Sequence, residues 1–173
     1  MTMTLVSTVT ASGFTPSVSF NNIPQTATDL VFQISARSDA NPSSTVFLLA
    51  SINGGALGLT SSNFLRGSGS AVTSASGSQI GISSQSTDTA STFGSTTLVF
   101  PNYAGSTQKS FSFDGVSENN ASAAWQYIGA GVWSNTAAIT SVSFSPAVSS
   151  NFVAGTTISL YTITKGSGGA TVS

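Results

Sequence analysis

Hydrophobic and polar positions alternate along most of this chain, most plainly near its C-terminal end. From Thr140 to Ser145, Val142 and Phe144 fall on one face and Ser141, Ser143 and Ser145 on the other. That period of two is the signature of a half-buried strand. Pro146 cannot donate to a ladder and ends it. Asn151-Phe152-Val153-Ala154-Gly155 then predicts a loop that carries a large aromatic, with Gly155 turning the chain. Thr156 to Thr164 is apolar on both faces, Ile158 and Leu160 on one, Tyr161 and Ile163 on the other. Such a run predicts a central strand with cover on both sides.

The same pattern organises the rest. Leu5, Ser7 and Val9 alternate in a first strand, Gly13 and Pro16 break it, and Val18 with Phe20 mark a short second one. Asn21-Asn22-Ile23-Pro24 predicts a turn. Thr28 to Arg37 is the cleanest strand, with Leu30, Phe32, Ile34 and Ala36 on one face and Gln33, Ser35 and Arg37 on the other. After the Asp39-Ala40-Asn41-Pro42 turn, Thr45 to Ile52 is a nearly continuous apolar run stopped by Asn53-Gly54-Gly55. Its β-branched and aromatic content predicts a buried strand in place of a helix.

Residues 67 to 95 are low in complexity, and Val72, Ile80, Ile82 and Phe93 are their sparse anchors. One or two short strands and loops are expected there. Leu98 to Phe100 resumes strand character up to Pro101-Asn102-Tyr103, and Phe111 and Phe113 alternate with serine up to a turn pair, Asp114-Gly115. Trp125, Tyr127, Gly129, Gly131 and Trp133 share one parity, along a run that the glycines are expected to bend or bulge.

The sum is about nine or ten short strands with turns between them and no sustained helical period. The expected fold is all-β: one domain over residues 1–173, an antiparallel β-sandwich of jelly-roll type. No repeat of about 20–50 residues points to a propeller or β-helix.

Composition sharpens this picture chiefly by what it removes. Only 5% of residues are charged and the formal net charge is −1, so no basic field invites nucleic acid. Roughly a third of the chain is Ser or Thr. With so many β-formers among them, that bias predicts hydroxyl-covered sheets and not disorder. Cysteine is absent, which leaves no disulfide and no thiolate metal site. MTMTLVSTVT lacks the basic and apolar regions of a signal peptide, and no apolar run approaches the ~18 residues of a membrane span. The lone sequon, Asn120-Ala121-Ser122, is expected by chance in so serine-rich a chain.

Catalysis has few groups to draw on. There is no histidine, and the acids are Asp29, Asp39, Asp88, Asp114 and Glu118. A glycosidase needs two carboxylates facing one cleft, whereas Asp39 and Asp114 sit in turn sequences where Asp is expected for backbone reasons. Ser106-Thr107-Gln108-Lys109 matches the S-x-x-K spacing of serine acyl-transfer enzymes, without a supporting partner motif. Loop oxygens could serve calcium, but no D-x-D spacing supports a site. No catalytic residue, cofactor site or metal site is therefore assigned. Trp125, Tyr127 and Trp133 could be core, subunit-interface anchors or a stacking platform for sugars, and Phe152 joins them as a candidate anchor. Arg37, Arg66, Lys109 and Lys165 are so scarce that each is expected to have its own partner.

Several segments, taken in order, resemble a widespread family of bacteriophage virion proteins. They are Phe20-Asn21-Asn22-Ile23-Pro24-Gln25-Thr26-Ala27-Thr28-Asp29-Leu30 with Ser35-Ala36-Arg37-Ser38, then Ile52-Asn53-Gly54 with Leu65-Arg66-Gly67. Pro101-Asn102-Tyr103 follows, and above all Asn151-Phe152 to Gly155 with Ser159-Leu160-Tyr161-Thr162-Ile163. The resemblance spans about residues 15 to 166, and its order is more specific than any single piece. Ala27 stands where the family often has an aromatic, Thr162 where it has Gly, and Ser149-Ser150 where a Gly often precedes the Asn. The resemblance implies one β-sandwich module without enzymatic activity, serving as a tail-fibre tip or as a trimeric protein that decorates the capsid. A first strand beginning by about residue 4, without coiled-coil heptads, favours the decoration role. The expectation is thus a homotrimeric cement protein on the outer surface of the phage head. Its partner would be the major capsid protein, with no nucleic acid and no membrane. The alternative is a receptor- or carbohydrate-binding appendage tip.

Overall fold

The structure is a computed structural model, and it describes residues 1–41, 46–55, 62–118 and 124–165. These residues hold twelve strands and no helix, two or three more strands than the sequence predicts. The Asn120 sequon, Pro42 and Thr45 lie outside them.

Eight of the strands form a long double-chain hairpin that rolls up on itself. β1 (Thr2–Thr10) pairs with β12 (Thr157–Thr164), and β2 (Val18–Phe20) pairs with β11 (Val142–Pro146). β3 (Asp29–Ala36) pairs with β8 (Gly94–Pro101), and β4 (Val46–Ile52) pairs with β7 (Gly81–Ser83). Successive pairs alternate between two sheets, joined by the β12–β3 and β11–β4 ladders. That winding, first strand with last and inward to the middle, is the jelly roll.

Two insertions widen one sheet only. β9 (Lys109–Glu118) and β10 (Ala124–Trp133) continue from β8 as a meander. The hairpin of β5 (Ser62–Gly67) and β6 (Val72–Gly77) then adds to β10. The wide sheet runs β1-β12-β3-β8-β9-β10-β5-β6, against a narrow sheet β2-β11-β4-β7. All these pairings are antiparallel.

The core forms where the two sheets face each other. Phe32 of β3 meets Phe144 of β11 at 4.8 Å and Phe20 of β2 at 5.6 Å between ring centroids, both off parallel. Such tilted contacts set each ring's positive edge against its neighbour's negative face. Farther along, Phe47 of β4 reaches across to Phe64 of β5 and Tyr127 of β10 and covers the root of the inserted strands. Beyond that the cover ends, and β6 is exposed along nearly its whole length.

Several expectations need correction. Asp114-Gly115 is not a turn, because β9 runs straight through it. Gly115 is needed for close approach: a Cβ there would stand 2.6 Å from the Thr96 hydroxyl oxygen. Gly129 and Gly131 do not bulge β10, which pairs with β9 residue for residue. The Phe113 ring lies over Gly129, where a Cβ would come within 2.2 Å of it. Within residues 67–95, Ile80 and Ile82 are fully buried anchors, but Val72 is 74% exposed and anchors nothing. Finally, β12 is interior to its sheet but covered on one face only: Ile158 and Leu160 are buried, while Tyr161 and Ile163 stay half-exposed.

Candidate functional site

The aromatic candidates do not form a platform. Tyr127 and Phe152 are wholly enclosed, both at 0% exposure. Tyr127 packs between Phe47 and Phe64, and its hydroxyl has no hydrogen-bond partner among the described residues. Phe152 pairs its backbone with Thr15 and Ser38 and so pins three loops together at one end of the sandwich. Trp125 and Trp133 are half-buried, each with a cation at its ring: Arg66 at 5.0 Å and Lys109 at 5.9 Å. A ring occupied by a cation and half-covered by the fold offers little face for a sugar.

Lys109 and Arg37 are structural ties, whereas Lys165 is exposed and has no partner among the described residues. Lys109 is 1% exposed, and its ammonium donates to the carbonyls of Gly105, Thr107 (2.6 Å) and Thr136 (3.1 Å). Burial pushes its pKa down. With all three protons engaged by carbonyls, it is not poised to activate Ser106, which is exposed. Arg37 gathers the loop after β7, donating to the carbonyls of Ser86, Asp88, Thr89 and Thr92 at 2.8–3.3 Å. Glu118 holds the same loop by accepting from the Thr89 amide and from the hydroxyls of Thr89 and Thr92.

Asp39, Asp29 and Asp88 each hold a backbone amide. Asp39 accepts from the Asn151 amide at 2.7 Å and from its side-chain nitrogen at 2.8 Å, which holds the Asp39 pKa down. Asp29 accepts from the Asn102 amide at 3.1 Å. Asp88 accepts from the Gln85 amide, and burial pushes its pKa up. Among the described residues, no three acidic side chains come together in a way that could hold a metal ion.

The feature that stands out is the outer face of the wide sheet, and the ladder registers define it. One row crosses all eight strands: Leu5, Tyr161, Val31, Val99, Ser112, Ala130, Asn63 and Ser76. A second runs from Thr8 through Gln33, Asp114, Ile128 and Leu65 to Ser74. A third runs from Thr10 through Ser35, Val116 and Gln126 to Val72. Asp114 is the only charged side chain in the three rows. Short side chains at Ser112, Ala130, Ser74 and Ser76 leave a groove of about 590 Å³, walled by Leu65 and Ile128. A smaller hollow of about 250 Å³ lies beside it, over Thr97, Val99 and Asp114.

The sequence alone does not give this surface. Each residue of the rows is legible as outward-facing, but its neighbours depend on which strands pair, and the β10–β5 pairing joins two distant insertions. No protein-family model, no curated protein and no solved structure matches the chain.

Proposed function

We propose that this protein is a capsid decoration protein of a bacteriophage, a homotrimer that binds the major capsid protein on the outside of the head. The observation that carries the reading is the outer face of the wide sheet, three ladder rows with one charge, Asp114, among hydroxyl and aliphatic side chains. A face with one charge escapes most of the cost of burying ions, its aliphatic side chains gain by burial, and its hydroxyls and amides need hydrogen-bond partners across the contact. It therefore suits a broad protein contact better than a small polar ligand. The resemblance of its segments, taken in order, to phage virion proteins supports the same reading. Asn151 and Phe152, the strongest of them, build loop architecture and supply no reactive group.

The mechanism would be mass action. A protein that binds only the assembled shell lowers the free energy of that shell by RT ln(1 + [L]/Kd), with no bond made or broken. Wide contact area on a stiff β-scaffold is what such a role requires. The appendage-tip alternative gains nothing from the positions of Trp125, Tyr127, Trp133 and Phe152, which are buried or half-buried.

Counting copies on purified virions tests the reading. Hundreds of copies spread over the head are expected, and heads stripped of the protein should open at lower temperature. A few dozen copies or fewer, confined to the tail, would overturn it.

A further inference from the structure

The wide sheet is eight strands across and its cover only four, so it overhangs the narrow sheet at both ends. Apolar side chains are also exposed toward the two ends. Ten large hydrophobic residues are exposed among the described residues, and eight of them lie on β1, β5, β6, β9 and β10 or, at Met1, beside β1. Met1, Met3, Leu5 and Val6 cluster on and beside β1, and Leu65, Val72, Val116 and Ile128 on the inserted strands. The outermost strands of the sheet are β1 and β6, each with one side of its ladder open among the described residues. Neither carries a charged residue. Charge is a usual means of blocking unwanted edge pairing, and β1 carries instead a register shift between Leu5 and Ser7.

We propose that β6 of one copy pairs with β1 of the next, so that the wide sheet runs on from subunit to subunit around a closed ring. A second copy is the occupant these edges fit. Both strands offer unpaired backbone groups, and neither brings a charge that would have to be buried. One head-to-tail contact also pairs both open edges, whereas a self-complementary β1–β1 contact would leave β6 open. Repeated head-to-tail contacts close into rings when the rotation allows. The joint gives the proposed homotrimer its contact and rests on that reading only for the number of subunits.

Molar mass in solution, measured by light scattering on the full chain, decides the matter. The wild type should weigh a whole multiple of 17.3 kDa greater than one. Leu5→Lys alone and Val72→Lys alone should each be monomeric, because every joint uses both edges. Mixed in equal amounts at high concentration they should form heterodimers, through the intact β6 of one and the intact β1 of the other. Both positions are more than half exposed, so circular dichroism should stay unchanged, and the melting temperature should fall only by what the lost assembly contributed. If either variant misfolds, Met3→Lys and Ser76→Lys replace the pair. A monomeric wild type, a single variant that keeps the assembly, or a mixture without heterodimers would each overturn the joint. A ring that forms but is absent from phage heads would instead sink the decoration role and leave the joint standing.

Discussion

The molecule has two kinds of β-structure, and they differ in what holds them. In the rolled hairpin, β3 is flanked by β12 and β8, and Leu30, Phe32, Ile34 and Ala36 are buried beneath the narrow sheet. Ladder and core support each other there. At the far end, β6 has a ladder to β5 and almost no buried surface. Backbone hydrogen bonds alone stabilise little in water, because they replace bonds to solvent. Two stacked layers make a self-sufficient fold, and a single layer needs a neighbour.

Substitutions can break that comparison, beginning with the largest effect. Phe144→Ala, in the middle of the aromatic trio with Phe20 and Phe32, should cost about 3–5 kcal/mol in denaturant unfolding. An effect under about 1 kcal/mol would mean that the two layers are not packed as described. Gly129→Ala pushes a methyl group into the Phe113 ring at the root of the inserted strands and should cost about 1–3 kcal/mol.

Asp39→Asn should cost about 1–3 kcal/mol near neutral pH, since it weakens the grip on Asn151. The carboxyl is held below its ordinary pKa. Its stabilisation is therefore complete above the ordinary aspartate range and is lost as pH falls through the lowered value. The gap between wild type and variant should accordingly close on acidification. A gap that stays constant down to strongly acidic pH would contradict the assignment. Tyr127→Phe removes a buried hydroxyl that has no partner among the described residues and should be neutral or stabilising by roughly 1 kcal/mol. Val72→Ser, on the open layer, should stay within about 0.5 kcal/mol. A larger loss in the monomer would show that β6 is supported within its own chain.

The same division governs what the sequence reveals. Alternation exposes β3, β11 and β12 because a covered face imposes its period on the side chains. It fails at Asp114-Gly115, where a glycine that makes room for Thr96 and Ile82 carries the composition of a turn. It fails again at Val72, whose β-propensity is real but whose strand has no core to face. The four-residue grip of Arg37 on the loop after β7 is invisible beforehand, since it joins positions some fifty residues apart through backbone carbonyls. The outer face was half legible. The Ser/Thr bias announced uncharged sheet surfaces, but not that eight strands would set them side by side.

Amide hydrogen exchange of β1 and β6 tests most directly whether neighbours complete the open layer. The account predicts slow exchange for both strands in the assembled wild type and fast exchange in monomeric Leu5→Lys and Val72→Lys, with β3 protected throughout. Equal, fast exchange of β1 and β6 in the assembled protein and in the monomeric variants would contradict it.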